Sequence, residues 1–218
     1  MIHLYLFSGL GADTRLFKNL GPIEGVEIIP LPWIKPGNSR TLGDYADLLL
    51  KDCNFRKPFM LGGVSMGGMI AQELAIRTEP EGLVLVSTAT SRSEMPLLFE
   101  WARRLRLASL MNKSFLENLA ILGDRFTIKS EEGRSLFLEM LKDADPDVMR
   151  FGARAILHWE PPSHQVPVIR LHGTADRVFP FAKVKDTIPV EGGNHFMVFE
   201  RGGQITKILA DRFSILND

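Results

Sequence analysis

A serine between glycines is the first place in this chain where residue types and spacing could do chemistry. Gly63-Val64-Ser65-Met66-Gly67 fits the pattern Gly-x-Ser-x-Gly. That pattern marks a sharp turn that lifts a serine hydroxyl off the end of a strand. The glycines have a steric reason: side chains two positions either side of a strained serine would collide with the turn. The stretch follows an apolar run, Pro58-Phe59-Met60-Leu61, and precedes a helix-patterned segment, Ile70 to Ile76. Strand, turn and helix therefore come in the required order. The bland alternative is a glycine-rich strand-to-helix turn with an idle serine.

A serine hydroxyl is a poor nucleophile at neutral pH. It needs a base within hydrogen-bond reach, and the base needs an orienting acceptor. The candidates are histidine and aspartate at the ends of later strands. Leu171-His172-Gly173-Thr174-Ala175-Asp176 places Asp176 just past one apolar run, and Gly192-Gly193-Asn194-His195 places His195 just past the next. Both follow the carboxyl ends of expected parallel strands, the edge where open α/β sheets carry their sites. The other histidines read differently. His3 lies within a strand and reads as packed, His172 reads as structural, and His158 and His164, near the return from the insertion, read as solvent-facing by default with a substrate role as the alternative. No pair has metal-ligand spacing on a single element, so neither a metal nor a cofactor is expected. Gly192-Gly193 lacks the lysine and helix start of a phosphate-binding loop. Cys53, the single cysteine, adjoins no basic cluster and reads as a packed or half-exposed thiol.

The elements that must position these residues alternate. Ile2 to Phe7 is a continuous apolar strand of the kind buried on both faces of a parallel sheet. Asp13 or Thr14 is the candidate cap of a short helix carrying Leu16 and Phe17. Val26 to Ile29 is a second strand, stopped by prolines. Thr41 and Asp44 form a capping box that opens a helix with Leu42, Tyr45, Ala46 and Leu49 on one face. Pro58 to Val64 delivers Ser65, and Leu83 to Ser87 is a fourth strand. Such alternation means parallel pairing with right-handed crossovers.

The pattern changes at residue 90. From Thr90 to Trp159 only helical periodicity is visible, with caps at Ser114, Ser130 and Asp145-Pro146. Strands resume at Val166 to Leu171 and at Thr187 to Val190, where Pro189 suits a sheet edge. A helix from Gln204 to Leu216 closes the chain. The expected fold class is α/β, doubly wound, with a mostly or all parallel sheet of about six strands and a helical lid insertion. It is read as a single domain, 1–218, with core segments 1–89 and 160–218 and the lid at 90–159.

Composition narrows the classes of function. Lys plus Arg equals Asp plus Glu at 26 each, so no net positive charge argues for nucleic acid or an anionic membrane surface. No run approaches the length of a membrane span, and the N-terminus lacks the basic region of a signal peptide. A cytoplasmic protein is expected, acting on a small molecule, without a nucleic-acid partner or a membrane span; the oligomeric state is left open.

With Ser65, Asp176 and His195 in that chain order, the sequence resembles the α/β-hydrolase superfamily over nearly its whole length. The matching motifs are Gly63-Val64-Ser65-Met66-Gly67, His172-Gly173 with Asp176, and His195 before the terminal helix. The resemblance implies roles. Ser65 attacks an acyl carbon, His195 takes and returns the proton, and Asp176 fixes the imidazole. The backbone N–H groups of Met66 and Leu10 would receive the developing oxyanion. The family's loop after the first strand often reads His-Gly; here it is Ser8-Gly9. Family members also commonly begin with two further strands that are missing here, so the sheet is expected to be trimmed.

Dehalogenases and epoxide hydrolases of the superfamily carry aspartate at the elbow, so the serine directs the expectation to acyl chemistry. The expected reaction is cleavage of a small or acyl-chain carboxylic ester or thioester through an acyl-enzyme. The alternatives are a non-catalytic binding protein on the same fold, or a C–C bond hydrolase or lyase using the same triad. Apolar lid residues Leu97, Trp101 and Leu105, with Leu98, Phe115 and Leu119, are the expected lining of an acyl pocket. No Arg or Lys stands out in the sequence as a carboxylate clamp.

Overall fold

Alternate side chains of a strand leave on opposite faces of its sheet, and in β1 (Ile2–Phe7) both sets end in buried apolar or aromatic side chains. Leu4 and Leu6 enter one buried cluster, Tyr5 and Phe7 another. Such a strand demands cover on both sides, and the computed structural model, which describes residues 1–104 and 128–217, provides it. Five further strands complete one sheet: β2 (Val26–Leu31), β3 (Phe59–Val64), β4 (Leu83–Val86), β5 (Val168–Gly173) and β6 (Ile188–Val190). Their order is β2-β1-β3-β4-β5-β6, and every neighbouring pair is parallel. Pro189 sits in β6, at the sheet's edge, where its missing N–H breaks no ladder.

One face is covered by α1 (Leu42–Asp52) and α2 (Met66–Ala75). Leu42, Tyr45 and Leu49 of α1 and Met69 and Leu74 of α2 pack with Tyr5, Phe7, Leu61 and Leu85. The opposite face takes α6 (Met197–Glu200) and α7 (Gly202–Asn217), whose Ile205, Leu209 and Phe213 meet Leu4, Leu6, Val84 and Leu171. Full burial of such a side chain stabilises by about 1.5–3 kcal/mol. An exposed ion pair such as Lys18–Glu132 contributes about 0–1 kcal/mol. The two apolar layers therefore hold the sheet, and the surface charges add little.

The helix starts follow their sequence signals. Asp13 accepts the N–H of Arg15 at the head of a 3-10 turn, Thr14–Phe17. Thr41 and Asp44 form the reciprocal capping box of α1. Between β4 and β5 the described residues contain helices and no strand: α3 (Leu97–Arg104), α4 (Glu131–Asp143) and α5 (Pro146–His158). Ser130 caps α4 and Asp145, before Pro146, caps α5. The capping box expected at Ser114 lies outside the described residues.

Three polar contacts tie this helical stretch to the sheet domain. Trp159, at the end of α5, donates its indole N–H to Glu73 of α2 at 2.9 Å. Glu200 of α6 accepts the N–H groups of Lys129 and Ser130 at 2.8 and 2.6 Å. Glu94 forms a buried bidentate pair with Arg170 of β5, at 3.0 and 2.6 Å. Arg170 also donates to the Thr88 and Lys185 carbonyls, so one guanidinium pins three loops.

Candidate active site

Ser65 ends β3 with φ +54° and ψ −120°, a backbone region that ordinary residues avoid. The surroundings enforce it. The Ser65 N–H donates to Val86 of β4 at 3.1 Å, and its carbonyl accepts the Thr88 hydroxyl at 2.7 Å. The two motif glycines leave no room for a side chain. A Cβ on Gly63 would stand 2.6 Å from the Phe7 carbonyl oxygen, and one on Gly67 would meet the Phe7 and Ser8 carbonyl oxygens closer still. The turn is thus wedged against the end of β1.

The loop after β1 passes beside the serine. A Cβ on Gly9 would lie 3.5 Å from Ser65 Cβ. Ser8, fully buried, donates its hydroxyl to Ala12 O at 2.8 Å and closes the loop on itself. A further tie is Trp33, whose indole N–H reaches the same carbonyl at 3.1 Å. Among the described residues, the N–H groups of Leu10 and Met66 donate to no acceptor. Met66 stands at the first turn of α2, where helix N–H groups lack intrahelical partners and favour negative charge.

Asp176 and His195 come together from the two turns after β5 and β6. Those turns interlock: Thr174 N–H donates to Val190 O at 3.1 Å and Ala175 N–H to Gly193 O at 2.8 Å. A Cβ on Gly173 would run into the Gly193 carbonyl. His195 Nδ1 then lies 2.9 Å from Asp176 Oδ2. The other carboxylate oxygen accepts the N–H groups of Val178 and Phe179 at 2.8 and 2.9 Å. Burial raises the Asp176 carboxyl, but the neighbouring His195 and the Phe179 N–H outweigh it and hold it below the usual range. Asp176 is therefore a carboxylate, and His195 Nδ1 is the donor in their hydrogen bond. That leaves Nε2 of the imidazole with the free lone pair. Asn194 fixes the same turn: its carbonyl oxygen accepts Phe196 N–H at 3.0 Å, and its amide reaches Glu200.

Ser65, Asp176 and His195 all leave the carboxyl ends of their strands, on one edge of the sheet. The Ser65 hydroxyl makes no hydrogen bond among the described residues, and the His195 side chain is 20% exposed. Catalytic contacts are commonly loose until substrate is bound. Of the sequence-expected pocket residues, Leu97 and Trp101 lie on α3 and are exposed. Leu105, Phe115 and Leu119 fall outside the described residues. Among the described side chains of α3, Phe99 reaches toward the site. Its ring stands edge-on to Phe179 with centroids 6.1 Å apart, and Phe179 stacks on His195 at 5.7 Å.

Sequence reasoning missed that stack. The only signal was an aromatic three residues after Asp176. Among the described residues, no group of three His, Cys, Asp or Glu is placed to hold a metal. No helix there is long and apolar enough to cross a membrane.

An all-parallel sheet with a strained serine at the central strand's end and an Asp–His pair two strands away defines a hydrolase-type α/β fold. The chain belongs to the alpha/beta hydrolase family, whose profile matches residues 6–207. Solved structures agree in fold. An esterase from Thermogutta terrifontis superimposes with a TM-score of 0.70 at 17% identity, covering 100% of this chain and 91% of that one. ClbQ from the colibactin NRPS/PKS pathway gives 0.68 at 17% identity, covering 99% and 98%. The RedJ thioesterase of the prodiginine pathway in Streptomyces coelicolor gives 0.66 at 18% identity, covering 96% and 89%. No curated protein matches the sequence.

Proposed function

We propose that this protein is a serine hydrolase that cleaves a carboxylic ester or thioester through an acyl-enzyme. The observation that carries the reading is the 2.9 Å contact of His195 Nδ1 with Asp176, on the sheet edge that also bears the strained Ser65. The esterase and the thioesterases among the similar structures support it.

The chemistry runs through three side chains and two amides. His195 Nε2 takes the Ser65 proton as Oγ forms a bond to the acyl carbon. The carbonyl oxygen becomes an anion and is received by the N–H groups of Leu10 and Met66. The bond to the leaving oxygen or sulfur breaks, and His195 returns the proton to it. Water then repeats the sequence, freeing the acid and restoring Ser65. Asp176 stays ionised throughout, holding the imidazole tautomer and balancing its transient charge. The helices between β4 and β5 act as the lid of the site, and Phe99 and Phe179 form an apolar wall beside the base.

The test pairs Ser65→Ala with a short p-nitrophenyl ester, its thioester counterpart and a fluorophosphonate probe. The expected result is turnover by the wild type, covalent labelling at Ser65, and loss of both in a variant with unchanged circular dichroism. Undiminished turnover in Ser65→Ala would overturn the reading.

A further inference from the structure

Beside this site the loop after β2 and the face of α5 line an open cavity of about 720 Å³. Its wall carries Lys35, Arg40, Arg150 and Arg154, with Asp147 as the one acidic residue and Phe151 as an apolar floor. Asp147 lies 3.3 Å from Arg150. Among the described residues Lys35 and Arg154 form no ion pair, while Arg40 has the Asp44 carboxylate beside it. Asp44, the capping carboxylate of α1, accepts the backbone N–H groups of Arg40 and Thr41, and these with the Arg40 charge hold it ionised, so it offsets part of that charge. Four cations line the cavity against Asp147 within it and Asp44 beside Arg40, a local excess of positive charge in a chain whose formal net charge is zero. Single surface cations are merely solvated. Cations converging on one concavity focus the potential and attract an anion.

The cavity adjoins the proposed catalytic centre. Phe151 lines it, and the next residue, Gly152, packs on the oxyanion turns. A Cβ there would stand 2.6 Å from Leu10 Cδ1 and 2.7 Å from Met66 Sδ. On the other wall, Trp33, two residues before Lys35, is bonded to the loop after β1. Three of the four cations are arginines, whose planar forks match the oxygens of phosphate. A lone carboxylate would occupy one fork and leave the others idle.

We propose that this cavity is an anion subsite, and that the substrate is an acyl ester or thioester bearing a phosphate group on the part that reaches away from Ser65. This rests on the serine hydrolase reading, so its first test is independent of turnover. Inorganic phosphate is titrated calorimetrically into the Ser65→Ala protein. The expected result is saturable binding that weakens about tenfold or more in the added Lys35→Ala/Arg154→Ala pair, as two charge-assisted contacts are lost. Lys35→Gln/Arg154→Gln, which keeps longer side chains, should behave alike. Absence of saturable binding, or equal affinity in the variants, overturns the subsite whatever Ser65 does.

A second arm separates a substrate-borne phosphate from a free phosphate ligand. Two thioesters of one acyl group are compared, one on a neutral thiol and one on a thiol carrying a phosphate monoester. The phosphate-bearing thioester should have the higher kcat/KM, inorganic phosphate should compete with it, and the ratio of the two kcat/KM values should fall about tenfold in the double variant. Equal kcat/KM for both thioesters, with phosphate binding intact, overturns the substrate assignment.

Discussion

His172 Nε2 lies 3.5 Å from the same Asp176 oxygen that His195 Nδ1 approaches to 2.9 Å. The two imidazoles are not equivalent. His172 is fully buried, and burial holds its basicity below the ordinary value of 6.5. Its Nε2 faces the Phe179 carbonyl at 2.8 Å, so that nitrogen carries the proton and Nδ1 is left buried with no partner. The ring is thus a neutral N–H donor beside the carboxylate, and it adds no second positive charge to compete with His195.

Replacing His172 with Phe keeps the ring volume and deletes that donor. The Phe179 carbonyl loses its partner, at a cost of about 1–3 kcal/mol. Phe179 also stacks on His195, so kcat should fall while KM changes little. Chemical denaturation and steady-state kinetics on the purified variant check both. Wild-type stability in His172→Phe would show that the buried ring is dispensable.

Asp176→Asn should leave the fold intact and lower kcat by about 10⁴-fold. The reason is local. One carboxylate oxygen is held by two backbone N–H groups, which the amide oxygen of Asn would claim. The amide nitrogen would then face His195 Nδ1, donor against donor. The imidazole must move its proton to Nε2, and the lone pair that the base needs is gone. Ester turnover beside a thermal melt is the measurement.

Much of this arrangement was legible in the sequence, for identifiable reasons. Six strands, their all-parallel pairing and the edge position of Pro189 follow from apolar runs alternating with amphipathic ones. The caps at Asp13, Thr41, Ser130 and Asp145 are local signals and appear as expected. The candidate catalytic residues carry their own turn glycines. What stayed hidden depends on distant partners. Nothing near Glu94 points to Arg170, and nothing near Trp159 points to Glu73, because each pair closes only when the sheet forms. The cationic cavity was invisible for the same reason: Lys35 and Arg154 are far apart in the chain and line one cavity only when the loop after β2 lies beside α5. On α3, periodicity marked Leu97 and Trp101 as pocket residues, yet both are exposed and Phe99 is the side chain beside Phe179.

Two glycine substitutions should differ in kind. Gly67→Ala drives a Cβ into the Phe7 and Ser8 carbonyl oxygens, backbone atoms with no freedom to retreat. Destabilisation of about 3 kcal/mol or more is expected, with loss of activity. Gly203, in the first turn of α7, has open space where a Cβ would go. Gly203→Ala should be neutral or stabilise by up to about 1 kcal/mol, because alanine loses less entropy in a helix. Urea midpoints for both variants test the contrast.

The buried pair of Glu94 and Arg170 should set how stability responds to acid. Burial raises the Glu94 carboxyl, but the Arg170 guanidinium and the Thr90 N–H outweigh it and hold it below its ordinary 4.5. The folded protein therefore gives up the Glu94 proton more readily than the unfolded chain. That contribution is complete above 4.5 and is lost as pH falls through the lower, folded-state value. His172 acts in a separate window. Its folded-state basicity is depressed, so acid favours the unfolded chain from about 6.5 downward. Glu94→Gln strands the Arg170 charge in the interior and should cost about 3–5 kcal/mol at neutral pH. Its deficit relative to wild type should stay constant from pH 7 to 5 and shrink below 4.5, where the wild type loses the same contact. Urea midpoints collected across that range measure the difference. A deficit that does not shrink in acid would show that Glu94 contributes shape rather than charge.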